Sequence, residues 1–315
     1  GMPCCAGMLY TKDSLPDEEA AVERHPLLDE SDDELIEQEM VIASSIVAAP
    51  SAGYVSVLVA ATHKARLSWL KTFCYAVPAG IFIAFGDYLM LSVGNAMPAI
   101  AASDPGLQKL FSGAFGLPFG LFMVVVTGSE LFTSNTAVLT IGCLEGKASV
   151  RQLLKSWFAS YLGNFAGSYL LIGLARLADT LPDHGAAAAS AAATKGGLGF
   201  GIAFVRGILA NYLVCMAVYM AAAARDTCGK VVAVFVPVCA FVAIGLEHSI
   251  ANMYIFGIAL AYQAPDVTWG RFATNECAVT LGNIVGGAVG VGLVPFLMHG
   301  SGFERKKPQD ADDAD

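Results

Sequence analysis

The sequence predicts an all-α membrane protein with six transmembrane helices arranged as a 3+3 inverted repeat, in which the second and fifth helices are broken. The first observation is composition: 56% of the 315 residues are hydrophobic and 14% are charged, with a mean hydropathy of +0.60, whereas soluble domains carry about 25% charged residues. The second is two apolar runs longer than one membrane span. The third is a set of motifs that recurs once along the chain.

The charges are segregated toward the two ends of the chain. Residues 1–40 hold 12 acidic and two basic residues, whereas residues 41–303 hold 10 acidic and 13 basic ones. We therefore expect a disordered acidic tail over 1–40 and a second tail over 301–315, both cytoplasmic. This composition argues against a nucleic-acid-binding protein, a disulfide scaffold or a coiled coil, and no cofactor or metal-binding motif is present.

The N-terminal region carries two short signals, each with a trivial alternative. Cys4 and Cys5 are adjacent near the N-terminus, so they are either lipidated or ordinary thiols. Glu23, Leu27 and Leu28 match an acidic dileucine signal for a sorting adaptor, with a chance match in a biased segment as the alternative. Residues 41–66 are apolar but interrupted, which favours an interfacial helix over a further span.

The transport domain is predicted over 67–300, with repeats at 69–178 and 199–298. A span needs about 20 apolar residues, which four segments provide: 69–94, 157–178, 199–224 and 275–298. Two longer runs, 111–143 and 230–263, each contain a polar cluster in the middle. We interpret them as broken helices whose unwound centres face a cavity, because unpaired backbone groups cannot face lipid.

Matching motifs support two related halves. The pattern L-G-N-x-x-G occurs at 162–167 and 281–286, and the pattern G-x-E-x-x-x-x-N occurs at 128–135 and 245–252. Three spans per half would place the halves in the membrane in opposite senses, an arrangement typical of transporters with a midplane site. Basic residues near the predicted helix ends favour a cytoplasmic location for both termini, and we expect a multi-pass plasma membrane protein.

Three ionisable residues fall at membrane depth, where such groups usually serve function. His248 can hold or release a proton near neutral pH beside a half-helix N-terminus, which favours anions. Glu130 and Glu247 are interpreted as partners for loop backbone groups, because carboxylates would repel an anionic substrate. The Gly and Asn of the L-G-N motifs are predicted to be helix-packing positions.

Three runs in these regions, T-G-S-E-L-F-T-S-N-T at 127–136, R-G-I-L-A-N-Y-L-V-C at 206–215 and G-L-E-H-S-I-A-N-M-Y at 245–254, resemble the formate/nitrite transporter family. The sequence is most similar to the protist lactate–proton symporter branch. The resemblance implies an aquaporin-like fold, a homopentamer in the lipid bilayer, and small monovalent anions or weak acids as cargo. No cofactor is implied.

The resemblance also assigns roles to individual residues. His248 matches the central histidine of the substrate pathway, and Thr127 and Asn252 are assigned to the same pathway. The loop that breaks the second helix begins at Thr127 and has structural positions at Gly128, Ser129, Glu130 and Asn135, and Glu247 is the structural position of its counterpart. The hydrophobic constrictions are expected at Phe111, Phe115 and Phe241. Lys195 matches a vestibule lysine, and Lys71 is the candidate on the other side.

The resulting hypothesis is proton-coupled transport of small monocarboxylates such as lactate and formate. The anion is drawn in by Lys195 and passes the constrictions as the neutral acid. One alternative is a pH-gated formate/nitrite anion channel. A neutral-solute channel of the aquaporin type would need Asn-Pro-Ala motifs, and a serine hydrolase would favour a G-x-S-x-G motif; the sequence contains neither, so an enzyme is not expected.

Overall fold

The computed structural model describes residues 50–301, and the fold of this range is helical. The helices are α1 Pro50–Arg66, α2 Trp69–Ser92, α3 Pro98–Ser103, α4 Pro105–Ala114, α5 Leu117–Thr127, α6 Phe132–Leu144, α7 Val150–Ala178, α8 Ala186–Gly196, α9 Phe200–Ala223, α10 Thr227–Ile244, α11 Ser249–Ala261, α12 Trp269–Val285 and α13 Val294–His299. A 3-10 turn, Pro182–Gly185, precedes α8, and a π-helix, Gly286–Leu293, joins α12 to α13.

Several expectations fall outside the described residues. These are the 1–40 tail with Cys4, Cys5 and the Glu23, Leu27, Leu28 motif, the beginning of the 41–66 region, and the end of the C-terminal tail. Within the described range, α1 begins at Pro50 and buries Tyr54, Val57, Leu58 and Ala61 against α6 and α9.

Six helical segments are long and apolar enough to cross a membrane, as predicted. They are Trp69–Ser92, Pro105–Thr127, Val150–Ala178, Phe200–Ala223, Thr227–Ile244 and Trp269–His299. The third and sixth begin earlier than the apolar criterion predicted, because their first turns contain charged residues, Arg151 and Arg271. Ser149 and Gln152 form a capping box that starts α7 at Val150, and the Thr268 side chain caps the first turn of α12.

Both predicted helix breaks are present. α5 ends at Thr127 and α6 starts at Phe132, while α10 ends at Ile244 and α11 starts at Ser249. The residue after each first half-helix is a glycine with positive φ, +67° at Gly128 and +83° at Gly245. A left-handed C-cap is strained for residues with a Cβ, so glycine at these positions allows the chain to leave the helix. We call residues 128–131 the first break and 245–248 the second break.

The L-G-N glycines allow two helix pairs to approach closely. A Cβ at Gly163 of α7 would lie 2.5 Å from Ala76 Cβ of α2, and one at Gly282 of α12 would lie 2.2 Å from Phe204 O of α9. Real Cβ atoms do not approach neighbours so closely, so any larger residue would push the helices apart. The predicted packing role of these glycines is confirmed.

Candidate functional site

The first break is held by an ion pair to α1. Lys64 Nζ lies 2.6 Å from Glu130 Oε1, and the Glu130 side chain is 3% exposed. The other carboxylate oxygen accepts a hydrogen bond of 2.8 Å from Asn135 Nδ2. A buried carboxylate needs such partners, since an unpaired charge at this depth would cost several kcal/mol.

The second break repeats this arrangement with different helices. Lys195 of α8 places Nζ 3.0 Å from Glu247 Oε1, and Asn252 Nδ2 donates to Glu247 Oε2 over 2.8 Å. Asn275 of α12 accepts a further hydrogen bond from Asn252 and donates to the Lys195 carbonyl, over 2.8 and 3.0 Å. The two glutamates therefore bind lysine and asparagine side chains rather than the loop backbone groups that were expected.

An asparagine clamps the backbone of each break. Asn164 accepts from Phe132 N and donates to the carbonyls of Ala76 and Glu130, over 2.8–3.0 Å. Asn283 makes the equivalent set with Ser249 N, Gly207 O and Glu247 O over 2.9–3.1 Å. These residues are the asparagines of the two L-G-N motifs. Their side chains satisfy backbone groups that a broken helix leaves unpaired, a task beyond the predicted packing role.

His248 occupies the second break with both ring nitrogens engaged. Its Nδ1 accepts from Ala251 N over 3.1 Å, so the side chain caps the N-terminus of α11. Its Nε2 lies 3.0 Å from Thr133 Oγ1 of α6. Because Nδ1 is an acceptor, this network assigns the proton of the neutral ring to Nε2, which then donates to Thr133. His248 therefore links the second break to the first turn of α6, the helix that follows the first break.

A narrow apolar passage lies beside His248, and we call it the constriction. It has a volume of about 10 Å³ and is lined, besides His248, by Ile83, Leu117, Leu121, Val214, Val238 and Phe241. The Phe241 and His248 ring centroids are 6.0 Å apart. A cavity needs roughly 10–15 Å³ to hold one water molecule. The constriction therefore has no room for a hydrated ion.

Two larger polar cavities accompany the constriction. The α8 cavity, of about 520 Å³, is lined by α8 and by residues that include Lys109, Lys195, Arg206, Glu247 and His248. The α1 cavity, of about 340 Å³, is lined by α1 and by residues that include His63, Lys64, Ser129, Glu130 and Lys230. Basic side chains outnumber carboxylates among these named residues in each cavity, which favours entry of small anions.

Four residues predicted for the substrate pathway and one predicted for a vestibule line neither the constriction nor the two cavities: Phe111, Phe115, Thr127, Asn252 and Lys71. Asn252 instead donates to Glu247. Phe115 is 49% exposed and stacks on Phe111, with ring centroids 5.9 Å apart, so this pair does not line the constriction as Phe241 does. Thr127 is exposed and contacts Ser129 Oγ at the edge of the first break. Lys71 is exposed over the Tyr75 ring, whereas Lys64 lines the α1 cavity and pairs with Glu130.

The sequence interpretation missed Lys64, Thr133 and the clamping function of the two asparagines. Lys64 could have been found by counting: it lies five residues before the start of α2, as Lys195 lies five residues before the start of α9. Thr133 had no comparable signal. Its contact with His248 joins residues 115 positions apart, and the motif comparison aligns Thr133 with Ile250.

Comparisons with known proteins agree with this architecture. The family model "Formate/nitrite transporter" matches residues 52–297. A probable formate transporter of Methanothermobacter thermautotrophicus is 38% identical over 239 residues, covering 70% of this chain and 86% of the relative. A formate-nitrite transporter of Entamoeba histolytica is 33% identical over 263 residues, covering 82% of this chain and 72% of the relative.

A solved structure described as a pentameric formate channel with formate bound matches with a TM-score of 0.63 at 33% identity, covering 73% of this chain and 97% of that chain. The family match therefore includes all six apolar segments and both breaks, since it extends from α1 into α13. The chain belongs to the formate/nitrite transporter family of membrane proteins.

Proposed function

We propose that the protein carries small monocarboxylates, such as lactate and formate, across the membrane together with a proton. The observation that carries this proposal is the constriction beside His248, which is apolar and about 10 Å³ in volume. An anion that passes it must lose its water shell. The neutral acid has far less hydration to lose, and it can still exchange one hydrogen bond with the protein.

The energies favour passage as the neutral acid. Moving a bare carboxylate into an apolar medium has an idealised cost on the order of 20 kcal/mol, and several kcal/mol after relaxation. Protonating a carboxylate with a pKa near 4 at pH 7 costs about 4 kcal/mol, at 1.36 kcal/mol per unit. The constriction has no room for water to relax around a charge, so the penalty there lies toward the upper figure. Binding a proton first is therefore the less costly route, and it makes net transport electroneutral.

The polar cavities supply the first step. Three basic residues, Lys109, Lys195 and Arg206, line the α8 cavity. Glu247 neutralises only one of these three positive charges, that of Lys195. A small anion is thus concentrated at the entrance of the constriction, where it takes a proton from water. This concentration is sensitive to ionic strength, because the charges are partly exposed to solvent.

His248 supplies one hydrogen bond inside the constriction. Its Nε2 proton is directed to Thr133 Oγ1 in the empty pathway. Exchange of this bond for one to the carbonyl oxygen of the acid keeps the donor satisfied during passage. Because Nδ1 stays bound to the α11 backbone, the ring keeps its orientation throughout.

The test is uptake of labelled lactate and formate by proteoliposomes that contain the full chain. We expect an inward proton gradient to accelerate uptake and a membrane potential alone to leave it unchanged. Uptake that ignored the proton gradient would refute symport.

A formate/nitrite anion channel is the second candidate, and the likeness to a solved formate channel favours it. The two candidates differ in charge movement, since a channel for the bare anion gives a current that reverses at the anion equilibrium potential. Planar-bilayer recording with formate on one side measures this directly. Electroneutral uptake without current supports the symporter, and a formate current supports the channel.

The proposed assembly is a homopentamer in the plasma membrane, with both termini cytoplasmic and the α8 cavity facing outward. The related formate channel structure is described as pentameric, and the Lys/Arg distribution along the sequence favours this orientation. Crosslinking in membranes tests the stoichiometry, and labelling of a cysteine added beyond residue 301 tests the side.

A further inference from the structure

A buried carboxyl group in the α8 cavity remains outside the mechanism described so far. Asp87 of α2 has an exposed fraction of 0% and belongs to the cavity wall together with Lys195, Glu247 and His248. Neither of its carboxyl oxygens has a hydrogen-bond partner in the part of the chain that the structure describes. Buried polar groups in folded proteins are almost always paired. Among the unpaired groups of the described residues, Asp87 is the one with two unpaired oxygens and a place in a cavity wall, where a ligand could pair with it.

The residue that is equivalent to Asp87 in the other half of the protein also lines a cavity. A constant spacing between equivalent residues identifies it. Lys64 and Lys195, which hold equivalent glutamates, are 131 residues apart. The same spacing separates Val77 and Ile208, whose carbonyls lie against Gly167 and Gly286.

Applied to Asp87, the spacing of 131 residues gives Val218, which lines the α1 cavity. One half thus has an apolar residue at this wall position, and the other has an acid of similar size. The fold does not require a carboxyl group at this position, because the second half is built with valine there.

A neutral carboxyl group fits these surroundings. Lys195, a cation of the same wall, is already bound to Glu247, and an isolated carboxylate in so buried a position would cost many kcal/mol. The neutral acid has one O–H donor and one carbonyl acceptor. Such a group can donate a hydrogen bond to the carboxylate of a small monocarboxylate, and it can both donate to and accept from the carboxylic acid. Because it is neutral, it does not repel the anion.

We infer that Asp87 is a substrate-binding residue of the α8 cavity, whose protonated carboxyl group donates a hydrogen bond to a small monocarboxylate before it enters the constriction. This inference rests on the proposed function, because it takes the monocarboxylate as substrate. The bond is charge-assisted when the substrate is still the anion, which makes it stronger than a bond between neutral groups. Asp87 thereby holds the substrate next to Lys195 without adding a charge of its own.

The experiment compares Asp87→Val with Asp87→Asn in the full chain. Valine copies the residue of the other half and removes both the donor and the acceptor, whereas asparagine keeps a donor and an acceptor of the same size. We measure initial formate and lactate uptake in proteoliposomes against concentration, formate binding in detergent by calorimetry, and thermal unfolding. Tyr169→Phe is the matched control, because Tyr169 also has a buried hydroxyl without a hydrogen-bond partner among the described residues but is not part of the cavity wall.

We expect Asp87→Val to raise the KM for formate and weaken formate binding by about tenfold, the loss typical of a hydrogen bond to a charged group. Asp87→Asn is expected to stay within about threefold of the wild type on the same reasoning. The thermal unfolding temperature of Asp87→Val is expected to equal or exceed that of the wild type, since an unpaired buried group is removed. Tyr169→Phe should leave KM unchanged.

Two results would overturn the inference: a wild-type KM and formate affinity in Asp87→Val, or equal losses in Asp87→Val and Asp87→Asn. A loss of uptake in Asp87→Val that comes with a lower unfolding temperature would also count against it. Failure of the proposed function would give a different result, because it would abolish uptake by the wild type. If the wild type took up neither acid but bound formate, and Asp87→Val bound it about tenfold more weakly, the binding role would stand without the transport role.

Discussion

Replacing Lys195 by methionine should destabilise the protein through the carboxylate that is left behind. Lys195 Nζ and Glu247 Oε1 are 3.0 Å apart, with side chains 17% and 3% exposed. At an effective dielectric constant of 20, this distance gives a gross attraction of about 5.5 kcal/mol. Breaking a buried pair by removing one partner typically costs 3–5 kcal/mol. We expect the lower end, about 3 kcal/mol, because Lys195 keeps some contact with solvent.

The double variant Lys195→Met, Glu247→Gln separates the stranded charge from other effects. Glutamine keeps the acceptor for Asn252 without a charge, so the double variant should regain most of the lost stability. The assay is thermal unfolding in one detergent, and Lys64→Met with and without Glu130→Gln provides the matched pair at the first break. If Lys195→Met unfolded at the wild-type temperature, or if the double variant were no more stable than Lys195→Met, the electrostatic reasoning would be wrong.

Three further predictions address the clamp, the constriction and the histidine. Asn283→Leu removes three hydrogen bonds to the second break and should lower the free energy of unfolding by about 3 kcal/mol, seen as a lower melting temperature and poorer recovery in size-exclusion chromatography. Phe241→Ala widens the constriction, so lactate uptake should depend less on an imposed pH step; unchanged dependence would count against Phe241 as the barrier. His248→Asn should lower uptake about tenfold with little change in melting temperature, because asparagine still caps a helix N-terminus but lacks the Nε2 donor.

The fold was predictable from the sequence because each of its main features leaves a local signal. Predicting the breaks required only the observation of a polar cluster within an apolar run too long for one span. Gly128 and Gly245 lie where the chain leaves the helix. The starts of the third and sixth spans were less predictable. Each first turn contains an arginine, Arg151 or Arg271, and follows a cap, Ser149 or Thr268, which an apolar window does not detect.

The site was predictable to the extent that motif positions coincide with contacts. His248, Glu130 and Glu247 lie at the breaks as expected. Phe115 and Lys71 were assigned only by their positions in the sequence, and neither lies at the constriction or at a break. An aromatic residue in an apolar run has no signature that tells a constriction from a protein surface. The contact between Thr133 and His248 depends on how two halves pack, and no spacing within one half encodes it.

The matched ion pairs at the two breaks bear on the direction of transport. Each cavity has a lysine that is bound to a glutamate of its own break, over 2.6 Å on the α1 side and 3.0 Å on the α8 side. Within residues 50–301, neither break then has an ion pair that the other lacks, so these two pairs give no electrostatic preference for one direction of transport. If the protein is the carrier proposed above, the chemical gradients of acid and proton would then determine whether a cell imports or exports its cargo.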